Sequence, residues 1–128
     1  MFNHVIAAYI FGSLTIIVML FQLALTLGAP WGEMAMGGKF PGRYSIKLRI
    51  AAFIQFLILG FMALVVLTHA GLLLPEWYAF SQKAIWLIVI LSAIIAILNT
   101  ITPSKKERIL WSPITIILFI CALIVAQN

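Results

Sequence analysis

Four long apolar runs follow one another along the chain, and polar or charged residues gather in the segments between them. The runs cover about residues 4–27, 48–70, 82–101 and 105–126. About 20 consecutive apolar residues in a helix cross the hydrocarbon core of a bilayer, and each run has roughly that length. Backbone polar groups in lipid must find partners within their own segment, which selects helices over open sheet. The pattern predicts an all-α membrane protein, a four transmembrane helix bundle formed by residues 1–128 as a single domain.

Within each run, small or polar side chains recur at helical spacing. They are Ala8, Gly12, Thr15, Met19, Gln22 and Thr26 in the first, then Ala52, Gln55, Leu59 and Ala63 in the second. The third carries Ser92, Ala96 and Asn99, and the fourth Thr115, Phe119, Ala122 and Ala126. Small residues let helices approach closely in lipid, so these stripes are expected to face one another and leave Leu, Ile, Val and Phe outside. The Ala8/Gly12 and Ser92/Ala96 pairs are also candidate seams for a homo-oligomer.

One long interruption separates the first two runs. From Gly28 to Gly42 it holds five of the eight glycines together with Pro30 and Pro41, a composition suited to tight turning. Pro30 fits the first position of a short helix, Glu33 its positive end and Gly37 a left-handed cap. With Trp31, Met34, Met36 and Phe40 as apolar contacts, this hinge is expected to form a short interfacial helix or elbow, or to tuck into the mouth of the bundle. Gly38-Lys39 is no phosphate loop: Glu33 stands where its first glycine belongs, Phe40 replaces the Ser/Thr, and no strand precedes it.

Three amides lie at similar depth beneath that hinge. Gln22 stands six residues before Gly28 and Gln55 six after Arg49, which places both about 9 Å inside the same edge. Asn99 lies nearer that edge. The bland expectation for Gln22, Gln55 and Asn99 is hydrogen bonding between helices, at about 0.6 kcal/mol a bond. The sharper one is a polar ligand-binding cavity under the hinge, with Trp31 beside it and Glu33 or Lys39 presenting charge to a head group.

Composition removes the soluble alternatives. Apolar residues make up 65% of the chain and charged residues 9%, against roughly 25% charged in soluble domains, and the mean hydropathy is +1.20. The net charge of +5 reads as a topology signal. Lys39, Arg43, Lys47 and Arg49 flank the first connection and Lys105, Lys106 and Arg108 occupy the third, whereas Lys83 alone lies on the other side. The positive-inside bias puts the two basic connections in the cytoplasm and both termini outside a multi-pass protein of the cell membrane. The lipid bilayer is the expected partner, with a second copy or another membrane protein as further candidates. Cations spread along membrane edges without interleaved aromatics do not make a nucleic-acid surface. The first run lacks a basic n-region and exceeds the usual apolar length of a signal peptide, so it is read as a retained span. Cys121, alone inside the last run, is read as a small apolar side chain.

The third connection opens with Ser104 and Glu107 at capping-box spacing, and Pro113 follows inside the last run. A helix starting at Pro113 leaves too few residues to Ala126 for a comfortable span, so a helix kinked at Pro113 is expected instead. The Leu27-Gly-Ala-Pro-Trp-Gly32 segment, Gly37-Gly38, Pro41, and then Ser104 with Glu107-Arg108-x-x-Trp111-x-Pro113 resemble a family of small uncharacterised bacterial four-helix membrane proteins. The resemblance spans the whole chain and implies the four-helix fold without implying an activity. It also implies that Trp31, Glu107, Arg108 and Trp111 act together, with Glu107 and Arg108 pairing to hinge groups and Trp111 beside them to lock the two loops.

Candidate chemistry is sparse. Glu33 and Glu107 fall in connections on one side, while His4, His69 and Glu76 lie on the other. A bilayer core of about 30 Å separates the two sets. His4, His69 and Glu76 are weak candidates for a metal, or for haem through the imidazoles, without any zincin-like spacing. No cofactor is expected. With no Asp and every Glu in a connection, the spans lack the acidic group that proton-coupled transport ordinarily uses. A structural, interaction or accessory subunit therefore ranks first. A binder or transporter of a small molecule or lipid ranks second, and an enzyme last.

Overall fold

The structure, a computed structural model, describes residues 3–128. Four helices run up and down in succession: α1 (His4–Thr26), α2 (Ile46–His69), α3 (Tyr78–Ile101) and α4 (Lys105–Ala126). Each is long and apolar enough to cross a membrane, so the chain is a multi-pass membrane protein built as a four-helix bundle. Helix α1 packs on α2 and α4, and α3 packs on α4 and α2. Of these neighbouring pairs, α2 and α3 fit together least closely.

The helix starts follow local chemistry. Asn3 caps α1, its Oδ1 accepting from the Ile6 N–H at 2.9 Å. Ser104 caps α4, its Oγ accepting from the Glu107 N–H at 3.2 Å. Pro75–Trp77 form a 3-10 turn that leads directly into α3, so the aromatic segment after Leu74 feeds the helix itself. Helix α4 continues through Pro113 from its cap at Ser104.

The small and polar stripes line the interior. Ala8, Gly12, Thr15, Gln22, Ala52, Ser92, Ala96, Thr115, Ala122 and Ala126 are all buried. Because Ala8, Gly12, Ser92 and Ala96 are spent on contacts within one bundle, neither pair can form a seam with a second copy, and that expectation is corrected. Outward positions carry Ile16, Ile17, Leu20, Leu57, Leu87, Ile90 and Ile97, all exposed to the surroundings. Such a continuous apolar exterior suits lipid, where water would favour aggregation.

The core differs along the bundle axis. Toward the termini, Ala7, Ala8, Phe11, Val66, Ile85, Ile88, Ala122 and Val125 are almost completely buried in one cluster. Toward the hinge, a second cluster gathers Phe21, Leu25, Ala35, Tyr44, Ala52 and Trp111. Two of these, Ala35 and Tyr44, belong to the connection between α1 and α2. The hinge therefore tucks into the bundle.

Candidate functional site

The hinge closes on itself before it closes on the helices. Gly32 N–H donates to Gly42 O at 3.0 Å, and the Tyr44 hydroxyl donates to Gly32 O at 3.3 Å. A side chain at Gly32 would strike the Phe40 carbonyl and come within 2.6 Å of the Tyr44 ring, so this neck admits glycine alone. Burial, and secondarily the nearby Glu107 carboxylate, push the Tyr44 phenol above its ordinary pKa, keeping it a protonated donor.

The single short helix expected from Pro30 to Gly37 is replaced by two 3-10 turns, Gly32–Met34 and Met36–Gly38, with Ala35 extended between them. The reason lies in α4 and its cap. Ser104 Oγ donates to Glu33 O at 3.0 Å and Trp111 Nε1 donates to Met34 O at 2.9 Å. Those carbonyls would otherwise accept the next turn of an α-helix. Gly37 does take the left-handed conformation, with φ 71°, and Met36 is held there too at φ 51°. A non-glycine residue in that region carries strain of about 1–3 kcal/mol, borne here by the contacts that seat the hinge.

Seated in this way, the hinge roofs a cavity of about 670 Å³. All four helices contribute walls. Val18, Phe21 and Gln22 come from α1, Gln55, Ile58 and Leu59 from α2, Ile95, Leu98 and Asn99 from α3, and Glu107, Trp111 and Thr115 from α4. Met34 to Gly37 and Lys39 form the roof. The three amides thus share one chamber, although no hydrogen bond joins them. Asn99 Nδ2 turns back to Ile95 O at 2.8 Å on its own helix. Gln22, 9% exposed, leaves Oε1 without any partner.

One wall of the chamber is also outer surface: Ile58, Leu98 and Ile101 line the chamber and are exposed on the lipid-facing side of α2 and α3, the neighbouring pair that packs least closely. An aromatic wall closes the opposite side: the Phe21 ring lies 4.7 Å from Trp111 and 6.4 Å from Trp31, the latter pair nearly parallel. Trp31 stands behind Phe21, outside the lining.

Of the loop-locking residues the resemblance implied, Trp111 bonds to the hinge, through Met34 O, while Glu107 and Arg108 do not. Glu33 pairs with Lys106 at 2.7 Å, and Arg108 donates to Thr102 O at 3.0 Å within its own connection. Neither Glu107 nor Arg108 bonds to the hinge, whereas Ser104, Lys106 and Trp111 do. The Glu33–Lys106 pair is solvent-exposed and contributes about 0–1 kcal/mol, so the buried Trp111 bond is the stronger seat. Glu107 is buried in the first turn of α4 and faces the cavity. Only half of the expected capping box forms: Thr102 Oγ1, rather than Glu107, accepts from Ser104 N–H at 3.3 Å.

At the far end His69 is buried and stacked on Tyr78 at 5.7 Å, with neither ring nitrogen bonded. Glu76 is exposed and His4 half-buried. Among the described residues no three His, Cys, Asp or Glu side chains converge as metal ligands.

Fold and site together define a multi-pass helical membrane protein with a hinge-roofed chamber at one end. No family model, curated protein or solved structure matches the chain.

Proposed function

We propose that this protein sits in the cell membrane and binds a small amphipathic molecule or lipid in the chamber beneath the hinge, admitting it sideways between α2 and α3. One observation carries the reading: Ile58, Leu98 and Ile101 belong at once to the chamber wall and to the lipid-facing surface. A ligand dissolved in the bilayer can reach such a site without crossing water. The volume of about 670 Å³ falls within the range of small-molecule pockets, and a few polar groups set in an apolar lining match their usual chemistry. On sequence alone an interaction subunit ranks first. The chamber favours the binder instead, because a subunit held through its outer faces has no need of a roofed internal space.

The arrangement of charge supports a cytoplasmic hinge end. Seven of the eight Lys and Arg residues lie there, and only Lys83 lies at the other. Passage of ligand across the membrane is a separate matter, since the apolar cluster around Phe11, Ile85, Ile88 and Val125 fills the bundle beyond the chamber.

Native mass spectrometry of the protein released gently from its own membrane tests this function. A bound small molecule is expected in the wild type and is expected to be lost from the Ile58→Trp/Leu98→Trp double variant, whose indoles would obstruct the way in between α2 and α3. Equal occupancy in both would overturn lateral admission. A protein subunit retained in place of a small molecule would restore the accessory-subunit reading.

A further inference from the structure

Of the three carboxylates, Glu76 is exposed and Glu33 is engaged by Lys106. Glu107 is different: it is 7% exposed, lines the chamber, and among the described residues has neither an ion pair nor a hydrogen-bond donor on its carboxylate. Its neighbours have other commitments. The Tyr44 hydroxyl donates to Gly32 O, the Ser104 amide donates to Thr102 Oγ1, and Arg108 donates to Thr102 O. Lys39 reaches the chamber from an exposed position in the hinge and forms no ion pair. The positive end of α4 favours a carboxylate in its first turn but leaves it short of direct donors.

Gln22 Oε1, from α1, is a fully buried acceptor in the same lining without a partner. A buried acceptor without a partner is costly, and a buried charge more so. The chamber therefore sets one carboxylate and one unpartnered amide oxygen in its lining, while its own cation, Lys39, sits at the exposed roof, and the aromatic faces of Phe21 and Trp111 belong to the same wall. An anion would meet the Glu107 charge, and a neutral apolar molecule would leave both acceptors unpaired. A cationic N–H donor satisfies them, and aromatic faces attract cations as well.

We infer that the ligand is an amphipathic ammonium compound, its charged nitrogen held by Glu107 and Gln22 and its apolar tail directed between α2 and α3. This rests on the chamber being the binding site. The shared chemistry is a protonated amine on an apolar tail, supplied either by an amine-headed phospholipid or by a free lipophilic amine.

The test uses the full chain in nonionic detergent with three probes of one tail length, decylammonium, decanol and decanoate, their occupancies read by native mass spectrometry. A charge-assisted hydrogen bond predicts decylammonium binding at least about tenfold tighter than decanol in the wild type. In Glu107→Gln the preference is expected to fall to near unity while decanol binding persists, which also reports that the chamber is intact. Should Glu107→Gln fail to fold, Glu107→Asp keeps the charge and is expected to keep the preference.

Equal binding of all three probes, a preference for decanoate, or an ammonium preference that survives in Glu107→Gln would each overturn the inference while leaving the binding function standing. Failure of every probe to bind the wild type would remove the binding function itself. Once decylammonium is bound, displacement by short-chain phosphatidylethanolamine, with no displacement by phosphatidylglycerol, assigns the lipid as the source. Resistance to both assigns the free amine.

Discussion

The two ends of the bundle solve the same packing problem in opposite ways. Toward the termini, Ala7, Ala8 and Ala122 bring helices together, and Phe11, Val66, Ile85, Ile88 and Val125 fill the space between them. Toward the hinge, helices of the same composition stand apart around a chamber of about 670 Å³, closed by a connection whose bonds reach back to the start of α4. The hydrogen bonds differ likewise. At the terminal end Asn3, Ser81 and Asn128 bond to backbone within four residues of themselves, whereas Trp111 and Ser104 at the hinge end reach carbonyls more than seventy residues away in sequence. One end is held by packing, and the other by a few specific bonds around a space.

This contrast is most exposed to test at Ile88, which is fully buried. Ile88→Ala is expected to cost about 2–5 kcal/mol in unfolding from detergent, since a filled core cannot collapse around the loss. Leu98→Ala, in the chamber wall that faces lipid, is expected to cost less than about 1 kcal/mol, because that side chain is already exposed. Similar losses at both positions would mean that the hinge end is packed as tightly as the terminal end.

Gly32→Val breaks the other end. The added atoms meet the Phe40 carbonyl and the Tyr44 ring, so the neck of the hinge must open. Trypsin cleavage after Lys39 and Arg43 is expected to accelerate at least about tenfold, equivalent to roughly 1.4 kcal/mol of lost closure, while the helices remain folded. Unchanged cleavage would show that the hinge is not held at this neck.

How much of this was legible in the sequence follows from which forces act locally. The four spans, their small-residue stripes and the Ser104 cap were readable, because span length, helical period and capping spacing are properties of neighbouring residues. The shared depth of Gln22, Gln55 and Asn99 was readable for the same reason. Whether they bond to one another depends on helix separation, which the stripes alone do not set. The hinge was readable as a short helix or elbow that tucks into the bundle, but not as two 3-10 turns, because Trp111 and Ser104, far along the chain, take the carbonyls a single helix would use. Lys106 was masked by its basic neighbours, whose shared charge reads as a topology signal before it reads as a partner for Glu33. Tyr44 and Phe21 carried no local mark at all; only the tertiary arrangement shows one closing the neck and the other forming the wall.

A smaller effect ties Tyr44 to Glu107. Burial and the Glu107 charge both raise the Tyr44 pKa, so the folded state holds that proton more tightly than the unfolded chain does. The resulting stability is fully present below the ordinary tyrosine range and is lost as pH rises toward the elevated value. Among the three tyrosines, one is therefore expected to ionise late in an ultraviolet titration of the folded protein. Glu107→Gln removes the charge but leaves the burial, and is expected to move that late titration partway down. A late tyrosine that ignores this substitution would place the carboxylate away from the phenol, and with it away from the neck of the hinge.

The boundary between the two ends gives the smallest effect. A second space of about 20 Å³ lies just beyond the chamber, sharing Val18, Leu59, Ile95 and Thr115 with it and lined also by Thr15 and Ser92. Thr115 Oγ1 is bonded to the Trp111 carbonyl at 2.8 Å, but Thr15 Oγ1 and Ser92 Oγ are buried without partners. Removing an unsatisfied hydroxyl while keeping the shape of the side chain is close to neutral, because no hydrogen bond is lost and a desolvated polar group is relieved. Thr15→Val is therefore expected to shift unfolding by less than about 1 kcal/mol, toward greater stability, with no change in trypsin cleavage of the hinge. A loss larger than about 1 kcal/mol would mean that the hydroxyl is satisfied in the membrane, as a water reaching it through so small a space would allow. The polar lining would then extend past the chamber into the packed half, and the division between a filled end and a hollow end would move toward the termini.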